Sequence, residues 1–201
     1  MTERRTIPHE ELMQLPVLHY DGPIHLVKDG DDLSAIRHER VVGFDTETRP
    51  TFKKGQSHPP SLVQIATARA VYLFQLKAHD FSRVLAEILS NAHIVKAGIA
   101  LGRDLKELGK LFPIEPANIV ELDVAAKRHG FQQTGVRNLA GMFLNGRITK
   151  GAQTSNWANP KLTAAQLRYA ATDAWVCREL YLRFDAAGLL KPPTPGESPA
   201  R

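Results

Sequence analysis

The stretch Val41-Val42-Gly43-Phe44-Asp45-Thr46-Glu47-Thr48 constrains this chain more than any other. Val, Val and Phe favour a buried strand, and the run ends in two acids spaced i, i+2. Side chains alternate across a strand, so Asp45 and Glu47 share one face and lie close together. Two such carboxylates repel, and without a counter-charge one of them takes up a proton. A hard divalent cation, which prefers oxygen ligands, is the simplest counter-charge. The plain alternative is an exposed acidic pair at a strand end, and this stretch alone leaves both readings open.

Periodicity sets out the elements around this strand. Residues 1–23 are mostly polar, with prolines at 8, 16 and 23; Glu10 to Leu15 makes one helical turn and the rest reads as an arm. Ile24-His25-Leu26-Val27 is a short edge strand, and Asp31 or Asp32 caps a helix running to about Glu39. A loop over residues 48–60 follows the central strand and carries Arg49, Lys53 and Lys54. Residues 62–66 and 71–76 read as strands joined by a short turn, so three strands in succession make an antiparallel meander. Apolar residues at 81, 84, 85, 88 and 89 have helical spacing. Residues 94–99 form a strand, and Leu101, Leu105, Leu108 and Leu111 mark a helix face that Pro113 ends. A strand over 119–122 and a helix from about Val124 to His129 follow.

Helices over 136–144 and 163–186 close the pattern, separated by a polar loop from Asn145 to Pro160. Thr163 is placed to cap the last helix, although Gln166 three residues on is not acidic. The tail from Lys191 holds four prolines and is expected to be disordered. The expected organisation is an arm over 1–22, one domain over 23–190 and the tail over 191–201. The fold class is α/β, a mixed five- to six-stranded sheet flanked by helices.

Composition narrows the setting. A chain of 201 residues buries a full core as one domain. Its apolar runs fall short of a membrane span and its N-terminus lacks a secretory pattern. A single cysteine, Cys177, excludes an internal disulfide and a multi-cysteine zinc site and fits a reducing compartment; the cytoplasm is the expected location. The net charge is +5 and the pI about 9.4, which permit a polyanionic partner. Acids at the end of a strand in a basic protein point to metal in a cleft with phosphates around it.

Two further acids join the first pair. Asp104 sits near the start of its helix, where negative charge is favoured. It lies beside the buried leucine face rather than opposite it, so it needs a partner. Asp173 follows Tyr169 by one helical turn, on the same face. That phenol either holds the acid by a hydrogen bond or orients a water beside a metal.

In this order and with that tyrosine, the chain resembles the DEDD 3′–5′ exonucleases, in the subclass with a tyrosine in the third motif. Phe44-Asp45-Thr46-Glu47-Thr48 is similar to the first motif, Gly102-Arg103-Asp104-Leu105 to the second and Tyr169-Ala170-Ala171-Thr172-Asp173-Ala174 to the third. The histidine subclass has its histidine where this chain has Arg168. Ser61-Leu62-Val63-Gln64-Ile65 and Ser155-Asn156-Trp157 also resemble the Werner-syndrome-type exonuclease domain, with ribonuclease D as the next relative. The likeness covers roughly residues 24–187.

The resemblance implies an RNase H-like fold and phosphodiester hydrolysis with two divalent ions, Mg²⁺ or Mn²⁺. It implies Asp45, Glu47 and Asp173 at the first ion, Asp45 with Asp104 through water at the second, and Tyr169 orienting the attacking water. The expected partner is DNA or RNA with a free 3′ end. Candidate substrate contacts are Arg49, Lys53, Lys54 and Lys150, with Trp157 either stacking on a base or sealing its loop onto the last helix. Relatives often carry a basic residue near position 153, where this chain has Gln153. Two alternatives are a catalytically silent binding module of the same fold and a haloacid-dehalogenase-type phosphatase. The phosphatase would need a lysine and an acidic pair downstream, whereas Asp31-Asp32 lies upstream.

Overall fold

The computed structural model of the protein describes residues 5–51 and 58–191. Its elements in chain order are α1 (His9–Gln14), β1 (Ile24–Leu26), α2 (Ser34–Arg37), β2 (Val41–Thr48), β3 (Pro60–Ala66) and β4 (Val71–Gln75). Then come α3 (Ser82–Ser90), β5 (Val95–Gly98), α4 (Leu101–Leu108), β6 (Ile119–Glu121), α5 (Leu122–Arg128), α6 (Val136–Leu144) and α7 (Ala164–Ala186). The strands form one six-stranded sheet in the order β1-β4-β3-β2-β5-β6.

β2, β3 and β4 pair antiparallel as the expected meander, with Asp45 opposite Gln64 and Glu47 opposite Leu62. A parallel neighbour requires a crossover. The crossovers hold α3, before β5 docks beside β2, and α4, before β6 docks beside β5. β1 lies at the edge, parallel to β4. Alternation along β2 divides the core. Val42 and Phe44 pack with Ile36, Leu85, Leu89 and Leu105, on the side of α2, α3 and α4. Val41 faces α5, α6 and α7, among Ala126, Leu139, Val176 and Leu180. Asp45 and Glu47 continue that second face, under α7.

α7 is the longest helix, and a reciprocal capping box starts it: Thr163 accepts from the Gln166 amide while the Gln166 side chain accepts from the Thr163 amide. Glutamine serves here as well as an acid, since the box needs only an acceptor oxygen at that position. Ala170, Ala171 and Ala174 are fully buried against Leu62, Ala66 and Leu73. Gly43 lies where α7 crosses β2: a Cβ there would sit 1.9 Å from the Ala174 carbonyl oxygen. Only a residue without a side chain permits that approach.

Two expectations are corrected, the extents of α4 and α2. α4 ends at Leu108, not beyond Leu111, because the chain tightens after Gly109. Phe112 takes the buried position and Leu111 is 47% exposed. α2 is a single turn; Asp32 accepts from the Ser34 amide and hydroxyl, but the chain leaves the helix at His38. The arm is strapped to the domain. Ile7 and Leu12 are buried, Leu18 donates to the Arg147 carbonyl, Arg147 donates to that of Pro16, and the Tyr20 amide donates to Thr172 Oγ1.

Candidate active site

The site sits at the carboxyl end of β2, beside the end of its parallel neighbour β5, where ligands gather in sheets of this kind. β2 projects Asp45 and Glu47 towards α7, and α7 returns Asp173 towards β2. Ligand oxygens of Asp45, Glu47 and Asp173 all lie within 4.8 Å of one another. The cleft they share is about 230 Å³ and is also walled by Ile99, Val136, Gln153, Tyr169 and Cys177.

Its electrostatics are those of a cluster lacking a counter-charge. Burial pushes Asp45 well above the usual carboxylate range, and the charges of Asp173 and Asp104 push it further. Burial, then Asp45 and the other acids, hold Glu47 up at about 10. Burial holds Asp173 at about 7, with Tyr169 pulling it back down in part. Asp173 Oδ1 is buried with no hydrogen-bond partner among the described residues. An orphaned carboxylate oxygen facing two more carboxyl groups fits an oxygen-preferring cation.

Asp104 is not one of the three converging acids. Its helix packs on the other face of the sheet, so its carboxyl comes round the end of β2 on the Thr46 side. Burial raises it, and the Thr46 hydroxyl and Arg103 offset part of the rise. The start of α4 is fixed by two acids from the next strand and helix: Glu121 accepts from the Gly102 amide at 2.7 Å and Asp123 from the Ala100 amide at 3.2 Å.

Tyr169 lies one turn before Asp173, at the rim. Burial first, then the charges of Asp173 and Glu47, push its phenol far above its ordinary range, so it carries its proton at any physiological pH. Trp157 packs behind it, with ring centroids 5.9 Å apart. Trp157 is 0% exposed, so base stacking is not open to it in this conformation. It closes the loop before α7 onto the meander instead, because its neighbours Leu62, Leu73 and Ala170 offer an apolar slot. Arg49, just beyond the acids, and Lys150 are exposed. Lys53 and Lys54 lie outside the described residues.

Two residues in or beside the cleft lie outside the three acid motifs. Cys177 extends the Tyr169–Asp173 stripe by one turn; it is buried, and burial and the neighbouring carboxylates push its thiol up, so it packs as a small apolar group. Gln64 is the less expected one. It is 0% exposed, sits directly across from Asp45, and neither amide atom has a partner among the described residues. Its sequence signal is its place in Ser61-Leu62-Val63-Gln64-Ile65, one of the stretches that carry the family resemblance.

A mixed sheet with acids from its central strand and its last long helix defines a class, and comparison with known proteins names it. Residues 26–187 match the family model described as 3′-5′ exonuclease, and the chain belongs to that family. It is 29% identical over 203 residues to the bifunctional 3′-5′ exonuclease/ATP-dependent helicase WRN of Mus musculus, covering 93% of this chain and 14% of that protein. It is 30% identical over 225 residues to the human exonuclease mut-7 homolog, covering 89% and 25%. It is 30% identical over 149 residues to ribonuclease D of Haemophilus influenzae, covering 72% and 36%. The chain thus spans well under half of the length of these relatives. In fold it resembles the Nibbler EXO domain of Aedes aegypti, with TM-score 0.74 and 23% identity over 87% of this chain and all of that one. The resemblance to Werner-type exonucleases and ribonuclease D read from the motifs is therefore borne out, as is the mixed-sheet fold.

Proposed function

We propose that this chain removes nucleotides from the 3′ end of DNA or RNA by metal-dependent hydrolysis, in a reducing compartment such as the cytoplasm. The observation that carries the reading is the convergence of Asp45, Glu47 and Asp173 within 4.8 Å, with carboxyl groups held up by burial and mutual repulsion. Such a cluster is costly unless a cation compensates it. Asp45, Glu47 and Asp173 would hold one Mg²⁺ or Mn²⁺ ion, and Asp45 with Asp104, through water, a second. When bound, such ions acidify water and neutralise charge on a phosphodiester.

The chain's own groups do the rest. Tyr169, whose phenol burial and the neighbouring carboxylates push above its ordinary range, is suited to hold a water beside Asp173 by a hydrogen bond rather than to take its proton. Ile99 and Val136 give the cleft apolar walls. Arg49 and Lys150 are free on the surface to meet phosphates, which fix position and carry no base information. A silent binding module is the weaker reading, because the three acids and the tyrosine that chemistry needs all border one cleft. No helix among the described residues is long and apolar enough to cross a membrane.

The test is a 5′-labelled oligonucleotide of either sugar, incubated with Mg²⁺ or Mn²⁺. The expected product is a ladder shortening from the 3′ side, lost in Asp45→Ala and slowed by a 3′-phosphate. Cleavage of a circular strand as fast as a linear one would refute exonuclease action.

A further inference from the structure

The meander sets a buried amide beside the acids. Gln64 is in register with Asp45 on β2 and with Leu73 on β4. Residues opposite one another in an antiparallel pair project to the same face, with Cβ atoms about 4.5–5.5 Å apart. The Gln64 amide and the Asp45 carboxyl therefore project side by side under α7. Alternation along β3 agrees: Leu62 and Ala66, two residues to either side, pack with Ala170, Ala171 and Ala174 of α7, while Val63 and Ile65 pack on the opposite face. Of the residues in register with Gln64, Asp45 is the polar one.

Gln64 is 0% exposed, and neither Nε2 nor Oε1 has a partner among the described residues. Buried amides are normally paired, and an orphan one calls for a ligand, an ion or a part in chemistry. Packing does not require it, since a methionine has much the same reach without two unpaired polar atoms. We propose that Gln64 is a positioning residue for Asp45: its amide donates to the Asp45 carboxylate when that carboxylate holds a divalent ion, and so fixes which oxygen the ion meets. The inference rests on the metal-dependent exonuclease reading and deepens it.

The placement suits that task. Asp45 walls the cleft and Gln64 does not, so the amide stands behind the carboxylate and clear of any substrate. An ionised carboxylate has about four acceptor sites, enough for metal on one side and a donor on the other. Groups that hydrogen-bond a metal ligand from behind set its orientation. Both residues sit on the two central strands of the sheet, which keeps their backbones fixed while the glutamine torsions let the amide swing. Its neutrality matters as well. A lysine or arginine here would compensate the acids permanently and compete with the cation, whereas an amide supplies a donor and leaves the negative charge in place.

The experiment compares the full chain with its Gln64→Met and Gln64→Leu variants. Calorimetry with Mn²⁺ alone reads affinity, thermal melting in EDTA reads the fold, and a 5′-labelled oligonucleotide reads hydrolysis. Both variants should bind Mn²⁺ about 10- to 100-fold more weakly, while the metal-free melting point holds or rises. A residue that only packs cannot move those two readings in opposite directions. In ¹⁵N-labelled protein the Gln64 side-chain NH₂ signals, identified by their loss in Gln64→Met, should move downfield on addition of Mg²⁺. Unchanged Mn²⁺ affinity in both variants, affinity and melting point falling together, or NH₂ signals that stay in place would each overturn the inference. Mn²⁺ uptake without oligonucleotide hydrolysis by the wild type would instead overturn the exonuclease reading and leave the part of Gln64 standing; a wild type that takes up no Mn²⁺ would sink both.

Discussion

Gln64 shows how much a single buried amide can say. Its donor and acceptor both lack a partner among the described residues in a fully buried position, and each such group costs about 1–3 kcal/mol. Gln64→Met keeps the volume and removes both, so the metal-free thermal midpoint should rise by several degrees; a fall would mean that the amide is satisfied after all. The acids act in the same direction. Asp173 and Glu47 are held at about 7 and about 10, above their ordinary values near 4. Between those limits the folded chain binds more protons than the unfolded one, so stability in EDTA is fullest in mild acid and declines as pH rises through 7 towards 10. Denaturant midpoints between pH 5 and 9 check this. Asp173→Asn should flatten the lower part of the decline, and Mg²⁺ should reverse it, because a bound cation favours ionised ligands. For Tyr169→Phe, turnover should drop roughly 10²-fold at unchanged affinity; unaltered turnover in saturating metal would reduce the hydroxyl to a packing group.

Among the elements, the crossing of α7 over β2 sets the spacing of the acids. Gly43 is two residues before Asp45, and its neighbour across the crossing, Ala174, follows Asp173. Gly43→Ala drives a methyl into a helix carbonyl, which cannot rotate away, so overpacking should cost about 1–3 kcal/mol or more. Because the helix must lift, affinity for Mn²⁺ should fall as well, and calorimetry would read both. Strong patterns made these elements legible: the apolar start of β2, the alternation of the meander and the alanine stripe of α7 each have one stable use. What stayed hidden was set by partners far along the chain. Lys96 carries no signal of burial in its own sequence, yet β5 is covered on both faces. Its ammonium is buried, donates to the Asn91 carbonyl at 2.7 Å beyond α3, and has its pKa lowered by desolvation to about 8. The anchoring of α4 by Glu121 and Asp123 depends on a strand and a helix that form later in the chain. Trp157 could be given two roles from sequence, and only the slot against β3 and β4 decides for packing.

Over the whole molecule, the strap joins the first residues to the last long helix. Leu12 is buried, with its Cδ1 beside Gly141, and Leu12→Ala should loosen the strap at a cost of up to about 2–5 kcal/mol. Hydrogen exchange should then speed up together at the Leu18, Tyr20 and Arg147 amides, which the strap secures; unchanged protection there would show that the strap holds without Leu12. The position of α7 also has a consequence for synthesis. Chains emerge N-terminal end first, so β2, β3 and β4 can pair long before the helix that covers them exists. Until residues near 177 leave the ribosome, Leu62, Ala66 and Leu73 have no apolar cover, and Asp45 and Glu47 lack Asp173. A nascent chain therefore exposes a sticky sheet face and an incomplete acidic cluster until the last helix has docked.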